Sequence, residues 1–134
     1  MDKLNGSCLC GAVTFEVENK FELFQLCHCI QCQKTTGSAH ASNLFADAES
    51  MTWLSGQELV ARYDVEGRRI SNAFCTQCGS RVPFTSLSGE IVAVPAGVLD
   101  GVPSILPQAN IFWPERAAWY DEAVKARHYD QFFE

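Results

Sequence analysis

The chain has 134 residues, of which 47% are hydrophobic and 19% charged, a balance that suits one folded domain and excludes a disordered polyampholyte. Its net charge of −6 leaves no electrostatic footprint for nucleic acid or for an anionic membrane surface. No apolar run reaches the length of a membrane span, and the polar start Met1-Asp2-Lys3-Leu4-Asn5-Gly6 lacks the apolar region of a secretory signal, so a reducing, cytoplasmic setting is expected.

In chain order, Val13, Phe15 and Val17 alternate with Thr14, Glu16 and Glu18, the period of a half-buried strand. Residues 21–26 read as a second strand. Gln33-Lys34-Thr35-Thr36-Gly37 reads as a brief helical turn ended by glycine. Residues 41–45 and 51–54 are short strands around an Asp47-Ala48-Glu49-Ser50 turn. Residues 59–65 and 69–74 flank Glu66-Gly67, a hairpin signal. Residues 81–85 and 91–94 are further strands around Ser88-Gly89. The tail from Pro114 to Lys125 can hold a short helix with proline near its first turn. The pattern is mostly β, in a single domain over 1–134, with the motifs confined to about 4–113 and a tail over 114–134. Such short strands bury little by themselves, which makes cross-linking by metal an apt solution.

Seven cysteines in a reducing setting point to metal or catalysis instead of disulfides, and the odd count argues against a fully paired framework. Cys75-Thr76-Gln77-Cys78-Gly79 is a zinc-knuckle pattern: two intervening residues let a tight turn bring both sulfurs to one ion, and glycine lets the backbone turn away. A thioredoxin-like redox pair has the same spacing, but no βαβ pattern surrounds this one. Tetrahedral zinc needs four ligands. Cys8 and Cys10 are the natural second pair, two apart on one face of a strand, with Gly11 beyond them. A closed four-thiolate site of this kind is structural and contributes folding free energy directly.

Cys27, Cys29 and Cys32 form a separate triplet. Three protein ligands leave a fourth position for water or substrate, as in catalytic zinc sites. Spacing leaves other readings open. The triplet could borrow His40 or His28 as a fourth ligand, or serve as a metal-free redox cluster. An iron–sulfur cluster would lack its fourth cysteine. His28, between two of the cysteines, suits packing or support better than ligation. His40 is a weak catalytic candidate, as proton carrier or ligand, against the plainer reading of a surface histidine. Lys34, Arg68, Arg69 and Arg81 could meet the carboxylates of a substrate, though each taken singly reads as solvated surface charge. Phe112, Trp113 and Trp119 could line a pocket or pack in the core.

Gly6-Ser7-Cys8-Leu9-Cys10-Gly11, Cys27-His28-Cys29-Ile30-Gln31-Cys32, Thr36-Gly37 and Cys75-Thr76-Gln77-Cys78-Gly79-Ser80 occur in that order. This ordered set resembles the glutathione-dependent formaldehyde-activating family, also called the centromere protein V/Gfa domain. The resemblance continues through Ala96-Gly97-Val98-Leu99-Asp100 and Asn110-Ile111-Phe112-Trp113. It implies a zinc-stapled fold of coiled antiparallel sheets, the β-tent. It also implies a partition of the cysteines, with Cys8, Cys10, Cys75 and Cys78 on a structural zinc and Cys27, Cys29 and Cys32 on a catalytic-type zinc. The activity implied is that of a carbon–sulfur lyase or thiol-adduct synthase acting on glutathione or its S-hydroxymethyl adduct. The alternative is a non-catalytic module that binds glutathione or a protein. Two stretches depart from the family pattern: Gln33 stands where a basic residue often follows the triplet, and Ser38-Ala39-His40 where a proline-containing segment often follows Thr-Gly. Three thiolates and one Zn²⁺ sum to about −1, which favours holding a substrate sulfur over strong activation of water. Such a site is also more labile than a four-thiolate one.

Overall fold

The computed structural model describes residues 2–133. Ten strands and two short helices follow in the order β1 (Lys3–Ser7), β2 (Thr14–Glu18), β3 (Leu23–Cys27), α1 (Ile30–Thr36), β4 (Ala41–Asp47), β5 (Met51–Ser55), β6 (Val60–Asp64), β7 (Ser71–Cys75), β8 (Phe84–Thr85), β9 (Ile91–Pro95), β10 (Ala109–Ile111) and α2 (Tyr120–Lys125). They form a three-stranded sheet β1-β2-β5, a five-stranded sheet β10-β3-β4-β9-β8 and a two-stranded ribbon β6-β7. Every pairing is antiparallel except β10 with β3. This is the mostly β, single-domain architecture expected. None of the described helices is long and apolar enough to cross a membrane.

The period-2 alternation of β2 sends Phe15 and Val17 inward, where they pack with Phe24, Leu44, Ala46, Val92 and Val94. Fully burying a side chain such as Phe15 contributes roughly 1.5–3 kcal/mol. A second cluster joins Val13, Ala73 and Val82 to Cys8 and Cys75. A third places Cys27, Cys29, Cys32 and Ala41 against Ile70 and Ile111. The cysteines thus sit where separate β layers meet.

The structure departs from the sequence expectations at several places. Cys8-Leu9-Cys10 is a turn, not a strand, closed by the Gly11 N–H donating to Cys8 O at 3.0 Å. Of residues 81–85 only Phe84–Thr85 is a strand; Pro83, which has no N–H for a ladder, follows an isolated bridge at Arg81. Helix α1 starts at Ile30, three residues before the expected turn, because Cys29 caps it through its sulfur. In the tail, Pro114 belongs to a 3-10 turn, and α2 begins only at Tyr120.

Gly56 illustrates how closely the backbone approaches itself here. Its φ is +77°, and a Cβ at this position would press on the Ala12 carbonyl. Gly56→Ala is therefore expected to cost about 2 kcal/mol or more, from left-handed strain and overpacking together. Urea unfolding, read as a fall in midpoint at unchanged slope, checks it.

Candidate metal centres and the adjoining cavity

The four sulfurs of Cys8, Cys10, Cys75 and Cys78 lie within 4.8 Å of one another. Cys8 and Cys10 come from the turn after β1. Cys75 ends β7, and Cys78 follows in a turn closed by the Gly79 N–H donating to Cys75 O at 2.7 Å. Sulfur–sulfur distances are 3.6 Å for Cys8–Cys10 and 3.9 Å for Cys10–Cys75. Four thiolates at Zn–S distances near 2.3 Å require tetrahedral edges of about 3.8 Å, close to these two distances, so the donor set suits zinc. The chain also supplies supporting donors: Val13 N–H to Cys8 Sγ at 3.3 Å, Gln77 N–H to Cys75 Sγ at 3.4 Å, and Gln77 Nε2 to Cys10 Sγ at 3.7 Å. Ser80 Oγ bridges the two turns, accepting from Leu9 N–H at 2.9 Å and lying 3.4 Å from Cys78 Sγ. This Ser80 contact pulls the Cys78 thiol down to about 5, so a thiolate is already favoured there at neutral pH.

Cys27, Cys29 and Cys32 form the second group, again with sulfurs within 4.8 Å and all three residues buried. Cys27 ends β3, Cys29 caps α1, and Cys32 lies in the first turn of α1. The cap is a hydrogen bond from Cys32 N–H to Cys29 Sγ at 3.3 Å. Without an ion the sulfurs must share protons. The hydrogen bond from Cys32 holds Cys27 down at about 6, while the same contact, with burial, pushes the Cys32 thiol far up. A soft dication offsets that mutual repulsion, so this donor set also fits a metal ion, with three ligands from the chain.

The triplet borders a cavity of about 660 Å³, with Cys27 and Cys32 on its wall. Cys29 is fully buried behind them. Gln25 lies two residues before Cys27 on the same face of β3, and pairs across the sheet with Asn43 of β4. The lining also includes the tip of the β6–β7 ribbon, where Gly67 takes a φ of +72° and is followed by Arg68 and Arg69. Arg81, three residues beyond Cys78, also lines the cavity. It is half-buried, with Nε donating to Asn72 Oδ1 at 2.8 Å and a terminal nitrogen donating to Ser71 O at 3.2 Å. Burial lowers its pKa and the nearby Cys32 sulfur opposes that shift.

The structure therefore regroups the sequence candidates. The seven cysteines divide four and three in space. Arg68, Arg69 and Arg81, each read singly as solvated charge, converge on one cavity, whereas Lys34 is exposed in the last turn of α1 and lines none of it. Phe112 lines the cavity and is the one non-glycine residue with positive φ among those described, at 54°. Trp119 is exposed. Gln25 and Asn43 were not singled out from sequence, though the alternation leading to Cys27 places Gln25 on the cavity face.

His28 and His40 lie in neither cysteine group and line none of the cavity. His28 is fully buried, with Nε2 2.8 Å from Asn110 Oδ1 and no partner for Nδ1. Its ring packs edge-on against those of His40, Trp113 and Tyr120. His40 Nδ1 is 3.2 Å from Ser42 Oγ, and burial, with His28 beside it, lowers its pKa. The pair belongs to an aromatic seam that joins the tail to the triplet segment.

Gln33 completes that seam. Its Nε2 donates to His28 O and to Glu115 O, both at 2.9 Å, while Glu115 Oε1 accepts from Ile30 N–H at 3.1 Å. The amide at this family-divergent position thus fastens the tail to α1. Gln33→Ala leaves two carbonyls without this donor and is expected to cost about 1–2 kcal/mol. Thermal denaturation, with faster amide exchange over residues 113–120, checks it.

The chain is thus a mostly β domain with two cysteine clusters that could hold metal ions, one of them opening on a cavity. More narrowly, the chain belongs to the glutathione-dependent formaldehyde-activating enzyme family, whose family model matches residues 3–115. It is 29% identical over 138 aligned positions to a Halomonas elongata protein named "Putative glutathione-dependent formaldehyde-activating enzyme", covering 97% of this chain and 86% of that one. Among solved structures it is similar to a Rhodobacter sphaeroides protein, with a TM-score of 0.63 and 29% identity, covering 79% of this chain and 97% of that one.

Proposed function

We propose that the chain is a zinc-dependent carbon–sulfur lyase, or thiol-adduct synthase, that joins a glutathione-type thiol to a small aldehyde and cleaves the same adduct. The observation that carries this reading is the placement of Cys27 and Cys32 on the wall of a cavity of about 660 Å³. That volume lies within the range of small-molecule sites and exceeds what an aldehyde alone needs. Cys8, Cys10, Cys75 and Cys78 would hold a structural zinc, and Cys27, Cys29 and Cys32 a second one with a position open to substrate.

Zinc in the triplet supplies a soft cation that favours the deprotonated form of a substrate thiol. The chain's residues do the rest. Cys29, buried behind its two neighbours, fixes their spacing through the α1 cap. Ile70 and Ile111 pack against the cluster and give the cavity beside it an apolar lining. Gln25 and Asn43 offer amides beside Cys27. In the synthetic direction the thiol sulfur bonds to the aldehyde carbon, and the thiol proton ends on the former carbonyl oxygen. Cleavage reverses both transfers.

Zinc-loaded protein mixed with glutathione and ¹³C-formaldehyde should accelerate formation of the S-hydroxymethyl adduct, and its breakdown from the product side, as followed by NMR exchange. Calorimetric binding of glutathione with no acceleration in either direction would instead favour a non-catalytic binding module and overturn the lyase reading.

A further inference from the structure

The two cysteine groups differ in what solvent reaches. Cys27, Cys29 and Cys32 are all buried, Cys29 completely, and the two on the cavity wall expose only 7% and 4% of their surface. In the four-cysteine cluster Cys8 and Cys75 are buried and Cys78 is half-buried, but Cys10 is exposed. The accessible sulfur therefore belongs to the cluster given a structural role, and not to the one beside the cavity. Cys10 stands in the exposed run Leu9-Cys10-Gly11 at the outer end of its turn. Apart from cysteines, the one side chain that reaches its sulfur among the described residues is the exposed Gln77, whose Nε2 donates at 3.7 Å.

A cysteine that ligates a metal is held as the thiolate, the nucleophilic form. Among thiolates, oxidation follows exposure, and it runs on to a disulfide where a second sulfur stands close by. Cys10 has such a neighbour. Cys8 Sγ lies 3.6 Å away in the same turn, whereas Cys75 Sγ lies 3.9 Å away. A disulfide needs the sulfurs at about 2.05 Å. Closing the gap to Cys8 takes movement within one short turn. Closing it to Cys75 would draw on the end of β7, which is held in register opposite Val60.

Resting on zinc at the four-cysteine cluster, as proposed above, we infer that Cys10 is a modification site: a hydroperoxide oxidises it to a disulfide with Cys8, and the cluster then gives up its ion. With hydrogen peroxide, the Cys10 sulfur attacks one oxygen, so that an S–O bond forms and the O–O bond breaks. The hydroxide set free takes a proton from solvent and becomes water. The Cys8 thiolate then attacks the Cys10 sulfur, so that the S–S bond forms and the S–O bond breaks. The second hydroxide becomes water in the same way. The peroxide gains two electrons, one from each sulfur. Cys75 and Cys78 alone do not make up a closed tetrahedral site. A small thiol restores the pair by two exchange steps and leaves as its own disulfide. Cys8 and Cys75 pack in the second core cluster with Val13, Ala73 and Val82, so the oxidised chain is also less stable. Chelator and oxidant thus act first on different clusters, the chelator on the three-thiolate one and the oxidant on the four-thiolate one.

The test uses the wild-type, zinc-loaded full chain and limiting hydrogen peroxide. Samples are quenched in acid denaturant, their free thiols alkylated, and the remaining cysteines reduced, alkylated with a second reagent and mapped by mass spectrometry. Native mass spectrometry follows zinc in parallel. Cys8 and Cys10 should be the first to lose their free thiols, as one disulfide, with one zinc ion lost per disulfide formed and a lower unfolding temperature. Cys27, Cys29 and Cys32 should still alkylate at that point. Excess glutathione with added zinc should restore the thiols, the ion and the unfolding temperature. The zinc count before oxidant reports on the proposed metal centres, whereas the identity of the oxidised sulfurs and the zinc lost with them report on this inference. Oxidation of the triplet before Cys10, a disulfide from Cys10 to Cys75, or a Cys8–Cys10 disulfide that leaves the zinc count unchanged would each overturn it.

Discussion

Cys29→Ser is expected to lower adduct formation and cleavage by more than about 100-fold while leaving the fold in place. Partners of metal ligands alone are worth roughly 10–100-fold in affinity or activity, and Cys29 is one of only three sulfurs in its cluster. The variant suits the question because of where the residue stands. Cys29 caps α1, with its sulfur accepting from Cys32 N–H at 3.3 Å, and serine is among the preferred residues at an N-cap. The substitution therefore removes a soft ligand and keeps a cap acceptor. Circular dichroism and unfolding temperature should stay close to wild type, while steady-state rates collapse and the chain loses one bound zinc. A rate within twofold of wild type would contradict the role given to the triplet.

Cys75→Ser is expected to do the opposite, removing stability first and activity only as a consequence. Cys75 is fully buried, sits in the second core cluster with Cys8 and Val13, and contributes to a cluster joining the start of the chain to a turn 65 residues further on. Structural zinc sites in small peptides contribute about 10–16 kcal/mol, comparable to the entire stability of a typical domain, about 5–15 kcal/mol. Losing one of four ligands should lower the unfolding temperature by at least about 10 °C, or prevent recovery of folded protein. The contrast between the two variants separates a structural centre from a reactive one. Similar behaviour in both would argue against the division.

The cysteine clusters were the most legible part of this chain, because ligand spacing is local chemistry. Cys75-Thr76-Gln77-Cys78-Gly79 closes its turn as the spacing requires, and the alternation in Val13–Val17 gives the inward face of β2 directly. Cys8 and Cys10 stand beside that turn, but their sulfurs converge through a turn of their own and not through the expected strand alternation. Strands β1 and β10 escaped notice because Asn5-Gly6-Ser7 and Ala109-Asn110 carry no periodic apolar signal; tertiary pairing with β2 and β3 imposes their conformation. The cavity was illegible for a different reason. Arg68 and Arg69 stand on one ribbon tip, Arg81 after a metal turn and Gln25 on a strand far away in sequence. Only the folded arrangement distinguishes three convergent guanidinium groups from three solvated charges. Gln33 shows the converse: its divergence from the family pattern draws attention to substrate, whereas its amide is engaged with His28 and Glu115.

On the proposed reading the seven cysteines, grouped four and three, hold two zinc ions per chain. Native mass spectrometry of the full chain, purified under reducing conditions with zinc present, tests it most directly. Two zinc ions are expected per wild-type chain and one in Cys29→Ser, with the triplet's ion released first under chelator. A wild-type chain that holds a single ion even at excess zinc, or a Cys29→Ser chain that still holds two, would contradict it.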